Sequence, residues 1–201
     1  MYYVLDTGKI SDIPSFVEKV IKDHPEVDCL VNNAGVQRPL NINDFDLSSA
    51  DQEIDINIRG SMHLAIGFLD HFKSKEAATI INVFSIMRFV PIPVINLVYN
   101  GTKAWLHFWT MNLRTQFDEK GMHIKVVEIA PPTVLTDLHR DRSNIDDNKK
   151  ENNPDALSVE EFMEFVSRGL EEDRETIGVG KSVGVVENLY QSFGEMYEAA
   201  K

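Results

Sequence analysis

Thr79-Ile80-Ile81-Asn82-Val83-Phe84-Ser85, followed after a proline-bearing loop by Tyr99-Asn100-Gly101-Thr102-Lys103, organises the whole chain. The first segment, TIINVF (79–84), is β-rich and apolar throughout, which is how a strand buried on both faces reads. A loop over 89–98 leads into a long helix expected over about 97–118. HIKVVEIA (123–130) is a second buried strand, ended by Pro131-Pro132. Upstream, DCLVNNAG supplies a strand of five residues at most, cut by Asn32-Asn33 and Gly35. Short buried strands alternating with helices point to a parallel α/β sheet.

The remaining elements follow the same alternation. YYVL (2–5) reads as a short strand stopped by Asp6-Thr7-Gly8. Ile13, Phe16, Val17, Val20 and Ile21 fall at helical spacing behind Ser11 or Asp12, with Pro14 in the first turn. Residues 36–46 are loop-like. A long helical pattern runs from about Ser48 to Phe72. Residues 137–156 are dense in charged and amide side chains and are expected to be a mobile, solvated segment. A helix over about 158–171, a small strand at 176–180 and a helical tail from Glu187 complete the chain.

Composition limits the function. The chain has 201 residues, 32 acidic and 20 basic, for a net charge of −12, with 43% hydrophobic residues. A pI near 4.9 argues against a nucleic-acid or anionic-membrane surface, which needs clustered Lys and Arg. One cysteine, Cys29, excludes an intrachain disulfide and is expected to be a buried packing residue. The six histidines show no ligand spacing, so no metal site is expected. No apolar run approaches the roughly 18–20 residues of a membrane span. The N-terminus shows no signal-peptide pattern, and a cytoplasmic location is the expectation.

Chemistry concentrates around Tyr99 and Lys103. Four residues of helix rotate a side chain by only about 40°, so the two share a face. An ammonium beside a phenol is expected to lower its pKa and make it an acid/base near neutral pH. An exposed helix pair satisfies the same spacing. Ser85 lies just past a buried strand, at the strand end where α/β sites form, and its hydroxyl can hydrogen-bond a carbonyl oxygen. Asn57 interrupts a helical pattern. It is either an irregularity or a side chain or freed carbonyl that holds a water or the lysine.

With NNAG (32–35), these residues form an ordered set that resembles the short-chain dehydrogenase/reductase family. The set comprises Asp6, Asn32-Asn33-Ala34-Gly35, Asn57 in DINIRG, INVFS (81–85), Tyr99-x-x-x-Lys103 and PPTVLT (131–136). The resemblance implies a doubly wound, Rossmann-like parallel sheet and a NAD or NADP cofactor. It also implies hydride transfer to or from a small alcohol or carbonyl substrate. Tyr99 would be the acid/base, Lys103 its partner and a ribose contact, Ser85 the carbonyl-orienting group, and Asn57 the anchor of a water. Asp6 would contact adenine and Asn33, Ala34 and Gly35 would line the adenosine side. Pro131 and Thr136 would flank the nicotinamide, with Thr136 holding its carboxamide. In the family, the helices at 48–72 and 97–118 form a dimer contact, so a homodimer is implied. Apolar residues at 90–95 and in the 137–156 lid suggest a lipophilic substrate.

The sequence departs from the family at its beginning. No Thr-Gly-x-x-x-Gly-x-Gly turn is present, nor the strand and helix that follow it. At ~30 residues per strand–helix–strand unit, roughly 50–60 residues are expected to be absent. The sequence therefore reads as a single partial Rossmann-like domain over 1–201, incomplete at the N-terminus. The family order 3-2-1-4-5-6-7 would leave residues 2–5 without strand neighbours. The alternative function is a non-catalytic remnant acting as an interaction or regulatory protein. Ser85 precedes Tyr99 by one residue more than is usual, and Pro131-Pro132 stands where Pro-Gly is commoner.

Overall fold

The computed structural model describes residues 2–86, 97–142 and 144–199. The expected loop over 89–98, with Val90, Ile92, Val94 and Ile95, falls almost entirely outside them.

Four parallel strands lie in chain order: β1 (Cys29–Asn32), β2 (Ala78–Val83), β3 (Ile124–Ala130) and β4 (Thr176–Gly178). β2 and β3 pair from Ala78↔Ile124 to Val83↔Ile129, and β1 joins with Asn32 opposite Asn82. The strands therefore end nearly level. NNAG, Ser85 and PPTVLT all emerge from the same C-terminal edge, where sites of open α/β sheets form.

Side chains alternate across the sheet as strand geometry requires. Ala78, Ile80, Ile124 and Val126 face one way. There they pack with Ile13 and Val17 of α1 (Ile13–Asp23), with Leu64, Ala65, Phe68 and Phe72 of α3 (Ser61–Lys73), and with Leu113 and Phe117 of α4 (Leu97–Glu119). Ile81, Val127, Ile129 and Ile177 face the other way, against Val166 of α5 (Val159–Glu171). Nothing among the described residues covers that second face over β1. Val31 is 52% exposed and Cys29 is exposed rather than buried.

Local chemistry sets the helix ends. Asp46 accepts from the Ser48 N–H at the start of α2 (Leu47–Ile54). Ser158 and Glu161 close a reciprocal capping box on α5, and α6 (Ser182–Glu198) starts five residues before the expected Glu187. The long helix expected over 48–72 is not uniform. Between α2 and α3 it widens into a π turn, Asp55–Gly60, centred on Asn57. Such turns interrupt the regular bonding and often mark sites.

Two expectations are corrected. Residues 2–5 form no strand, and Tyr2 and Val4 are fully exposed. An apolar run without a neighbouring strand cannot satisfy its backbone as a ladder. Residues 137–156 are not solvated throughout. The described residues among them form turns and a short 3-10 turn (Asp137–His139), with Asn148 and Ala156 buried. Asn148 donates to the Thr136 carbonyl at 2.7 Å, and Asp147 is gripped by Arg142 and His139.

Candidate active site

α4 brings Tyr99 and Lys103 under the C-terminal edge of the sheet. Both are buried, at 2% and 4% exposure, so the exposed-pair reading of Tyr-x-x-x-Lys is excluded. The Lys103 Nζ lies 5.5 Å from the Tyr99 ring centroid and donates to the Val83 carbonyl, at the end of β2, at 3.2 Å. Burial pulls Lys103 down to about 8, opposed by the charge of Glu53. Ser85 hydrogen-bonds the phenol of Tyr99.

Tyr99 titrates in the direction opposite to the one its sequence neighbours suggest. Burial raises its pKa, and the hydrogen bond from Ser85 only partly offsets this. The desolvation of the phenolate outweighs its favourable partners. The group therefore holds its proton at neutral pH.

Asn57 ties the π turn to the loop after β1. Its Oδ1 accepts from the Val36 N–H and its Nδ2 donates to the Val36 carbonyl, both at 2.9 Å. Nδ2 also reaches Thr102 Oγ1 at 3.2 Å, and Thr102 in turn donates to the Tyr99 carbonyl at 2.7 Å. The carboxamide is thus spent on holding NNAG and α4 together. Gly35 packs closely against both groups: a Cβ there would stand 3.3 Å from Asn57 Oδ1, a tight contact, and 3.5 Å from Lys103 Nζ, an ordinary one. A buried ladder beneath the site joins the elements: Asn32 donates to Asn82, and Asn82 to Thr110, each at 2.9 Å.

A cavity of about 920 Å³ opens above these groups, with the uncovered sheet face as its floor. Asn33, Ala34, Gly35, Ser85, Tyr99, Lys103, Pro131 and Thr136 all line it. Thr136 also caps the 3-10 turn through the Leu138 N–H. Asp6 is not brought to the cavity; its carboxylate accepts from Gly8 N–H at 3.0 Å and closes the turn there.

Sequence reasoning missed Glu53. It is fully buried, one helical turn before Asn57, and its pKa is pushed up by desolvation to about 7. A glutamate in a helix reads as a solvated face, and only its four-residue spacing to Asn57 hinted otherwise. Arg142 and Gln37, hydrogen-bonded to each other at 2.6 Å on the cavity wall, were also not singled out.

A family model described as short chain dehydrogenase matches residues 1–147. The uncharacterized oxidoreductase DltE of Bacillus subtilis (strain 168) is 28% identical over 201 residues, covering 96% of this chain and 75% of that protein. The NADP-dependent 3-hydroxy acid dehydrogenase of Schizosaccharomyces pombe is 30% identical over 166 residues, 81% of this chain and 63% of that protein. Among solved structures, a short-chain dehydrogenase from Sphingobium yanoikuyae in complex with NADPH superposes with a TM-score of 0.76. It is 19% identical, over 94% of this chain and 73% of that one. A short chain dehydrogenase/reductase from Burkholderia phymatum in complex with NAD gives 0.79 at 16% identity, over 95% and 74%. Fold, ordered motifs and the family match agree, and the chain belongs to the short-chain dehydrogenase family.

Proposed function

We propose that this chain carries the proton-transfer half of a NAD(P)-dependent oxidoreductase acting on an alcohol or carbonyl group. One observation carries the reading: a buried phenol, Tyr99, meets a serine hydroxyl and a lysine ammonium at the C-terminal edge of a parallel sheet. Four groups, Tyr99, Lys103, Ser85 and Asn57, assembled from three separate segments count against a non-catalytic remnant.

The residues fit the nicotinamide and ribose half of such a cofactor. Gly35 lies beside Lys103 Nζ, and Pro131 and Thr136 border the same cavity. Lys103 would hold the ribose, and Thr136 the carboxamide. The 201 residues hold no Thr-Gly-x-x-x-Gly-x-Gly turn, so none is assigned to the pyrophosphate. When bound, the cofactor supplies or accepts the hydride.

The protein's part is position and proton. Ser85 orients the substrate oxygen toward Tyr99. Tyr99, protonated at neutral pH, donates to that oxygen as a carbonyl is reduced and takes the proton back in the reverse direction. Lys103 stabilises the phenolate left behind. Asn57 fixes the loop and helix that place them. Apolar wall residues Phe162, Met163 and Val166 favour a lipophilic substrate over a highly charged one. The exposed Trp105 and Phe108 on α4, with Ile54 and Ile66 near α2 and α3, support a homodimer.

The test is titration of the purified chain with NADH and NADPH by nicotinamide fluorescence, then a ketone and aldehyde panel. Saturable binding with turnover that Tyr99→Phe abolishes is expected. Turnover equal in Tyr99→Phe and wild type would refute the reading.

A further inference from the structure

Arg142 is a charged group on the cavity wall that the proton chemistry leaves unused. The cavity is cationic in a chain that is not. Among the described residues lining it, Lys103, Arg140 and Arg142 are cations and Asp137 is the carboxylate, whereas the sequence has 32 acidic and 20 basic residues. Lys103 serves the phenol, and Arg140 is exposed. Arg142 differs from both in being held in place by side chains on two sides.

Its Nη2 donates to Gln37 Oε1, on the loop after β1, at 2.6 Å, and its Nη1 donates to Asp147. The second oxygen of Asp147 takes His139 Nδ1. Gln37 and His139 are buried, at 5% and 8% exposure. The neighbouring Asn148 ties this turn down by donating to the Thr136 carbonyl at 2.7 Å. Arg142, His139 and Gln37 line the cavity, and Asp147 is not among the described lining residues. The carboxylate therefore orients its partners from behind, and the cavity meets the guanidinium. Pinning the long side chain in advance removes rotamer entropy that an arginine otherwise loses on binding.

Resting on the oxidoreductase reading, we infer that Arg142 binds a carboxylate carried by the substrate, which makes the cavity selective for an oxo acid or hydroxy acid with an apolar body. A guanidinium carries five N–H donors in a rigid fork that matches carboxylate geometry, enough to hold partners and an anion at once. Phe162, Met163 and Val166 border the same space and suit the hydrocarbon part of such a molecule. Tyr99 lines this cavity as well, and a volume of about 920 Å³ is one that a single small ligand fills. One molecule can thus meet the phenol and the guanidinium together. Burial dominates the Tyr99 pKa, and the Arg142 charge also reaches the phenol. Arg142 contributes binding and orientation, and the hydride and proton steps stay as described.

With NADH or NADPH at saturation, the chain is assayed on 2-, 3-, 4- and 5-oxohexanoate, each against its methyl ester. Wild type is expected to favour at least one acid by about tenfold or more in kcat/KM, mainly through KM, the scale of a hydrogen bond to a charged group. In Arg142→Met that ratio should fall by about tenfold, and Arg142→Lys, which keeps the charge without the fork, should lie between. Should Arg142→Met fail to fold, Asp147→Asn loosens the guanidinium and should lower the same ratio several-fold. NMR titration with carboxyl-13C hexanoate and with hexanamide reads the subsite without turnover. Hexanoate is expected to bind wild type more tightly than hexanamide does, and Arg142→Met to remove the difference. Equal kcat/KM for every acid and its ester in wild type, or an acid preference that survives Arg142→Met, would overturn the inference. A loss of NADPH affinity in Arg142→Met with NADH affinity retained would overturn it too, by assigning the guanidinium to a cofactor phosphate. Arg142-dependent hexanoate binding without turnover of any acid, ester, ketone or aldehyde would refute the oxidoreductase reading and leave the subsite standing.

Discussion

Replacing Asn57 with alanine removes the joint between the loop after β1 and the helix bearing Tyr99. Three contacts disappear: Val36 N–H and Val36 C=O at 2.9 Å each, and Thr102 Oγ1 at 3.2 Å. Thr102 keeps its bond to the Tyr99 carbonyl, so only the two Val36 groups are orphaned. Each orphaned buried group costs about 1–3 kcal/mol. Val36 is only half-buried, so water recovers part of this. The cavity left by a carboxamide that is 1% exposed adds to the cost. The sum is about 2–4 kcal/mol, a drop of roughly 5–15 °C in Tm for a domain of this size. Urea unfolding followed by circular dichroism reads it as a lower midpoint at unchanged slope. Asn57→Asp separates bonding from charge. It keeps an acceptor for Val36 N–H, sets an oxygen against the Val36 carbonyl, and puts a negative charge beside Lys103. It should be destabilised yet favour the charged form of Lys103. An Asn57→Ala loss below about 0.5 kcal/mol, within the range of ordinary surface changes, would refute the assigned joint.

Four further outcomes are expected. Glu53 is raised from 4.5 to about 7, so the unfolded chain releases that proton first and stability falls by about 3 kcal/mol as pH rises through that window. Lys103 is lowered from 10.5 to about 8, so the folded chain loses its proton first and stability climbs by a similar amount from pH 8 to 10.5. Subtracting Glu53→Gln and Lys103→Met melting curves from wild type isolates each limb, and parallel curves would contradict the assignments. Gly60→Ala places a Cβ 2.6 Å from the Thr7 carbonyl oxygen, forcing a backbone shift and costing about 1–3 kcal/mol by thermal melting. Tyr99→Phe should leave cofactor affinity within a few-fold of wild type while removing turnover, since the phenol acts on the substrate oxygen; equal losses of both would assign it to binding instead.

Most of the sheet was legible because its inner strands are buried on both faces, and TIINVF and HIKVVEIA announce this as continuous apolar runs. YYVL carries the same composition without forming a strand, because pairing depends on a neighbour that no local pattern encodes. Cys29 misled for a related reason: its strand is apolar, but one of its faces is left open. Within the site, spacing correctly put Tyr99 and Lys103 on one face and marked Asn57 as irregular. The direction of the Tyr99 shift was not legible. It depends on how deeply the ring is buried, and burial opposes the charge effect that sequence proximity suggests.

Proton chemistry and cofactor affinity are carried by different parts of this fold. Tyr99, Ser85, Lys103 and Asn57 are held by α4, the end of β2 and the π turn, and their partners Val83, Val36 and Thr102 all lie within those segments or the loop after β1. Their geometry therefore does not depend on α6 or β4. Pyrophosphate recognition needs backbone N–H groups at a glycine turn and a helix N-terminus, and the corresponding glycine motif is not among these 201 residues. The two contributions separate kinetically. Weak nicotinamide binding lowers kcat/KM without touching the proton step, whereas a defect at Tyr99 or Lys103 persists at saturating cofactor. A turnover deficit that vanishes as cofactor is raised would locate the fault in binding, and the quartet built around Tyr99 would stand.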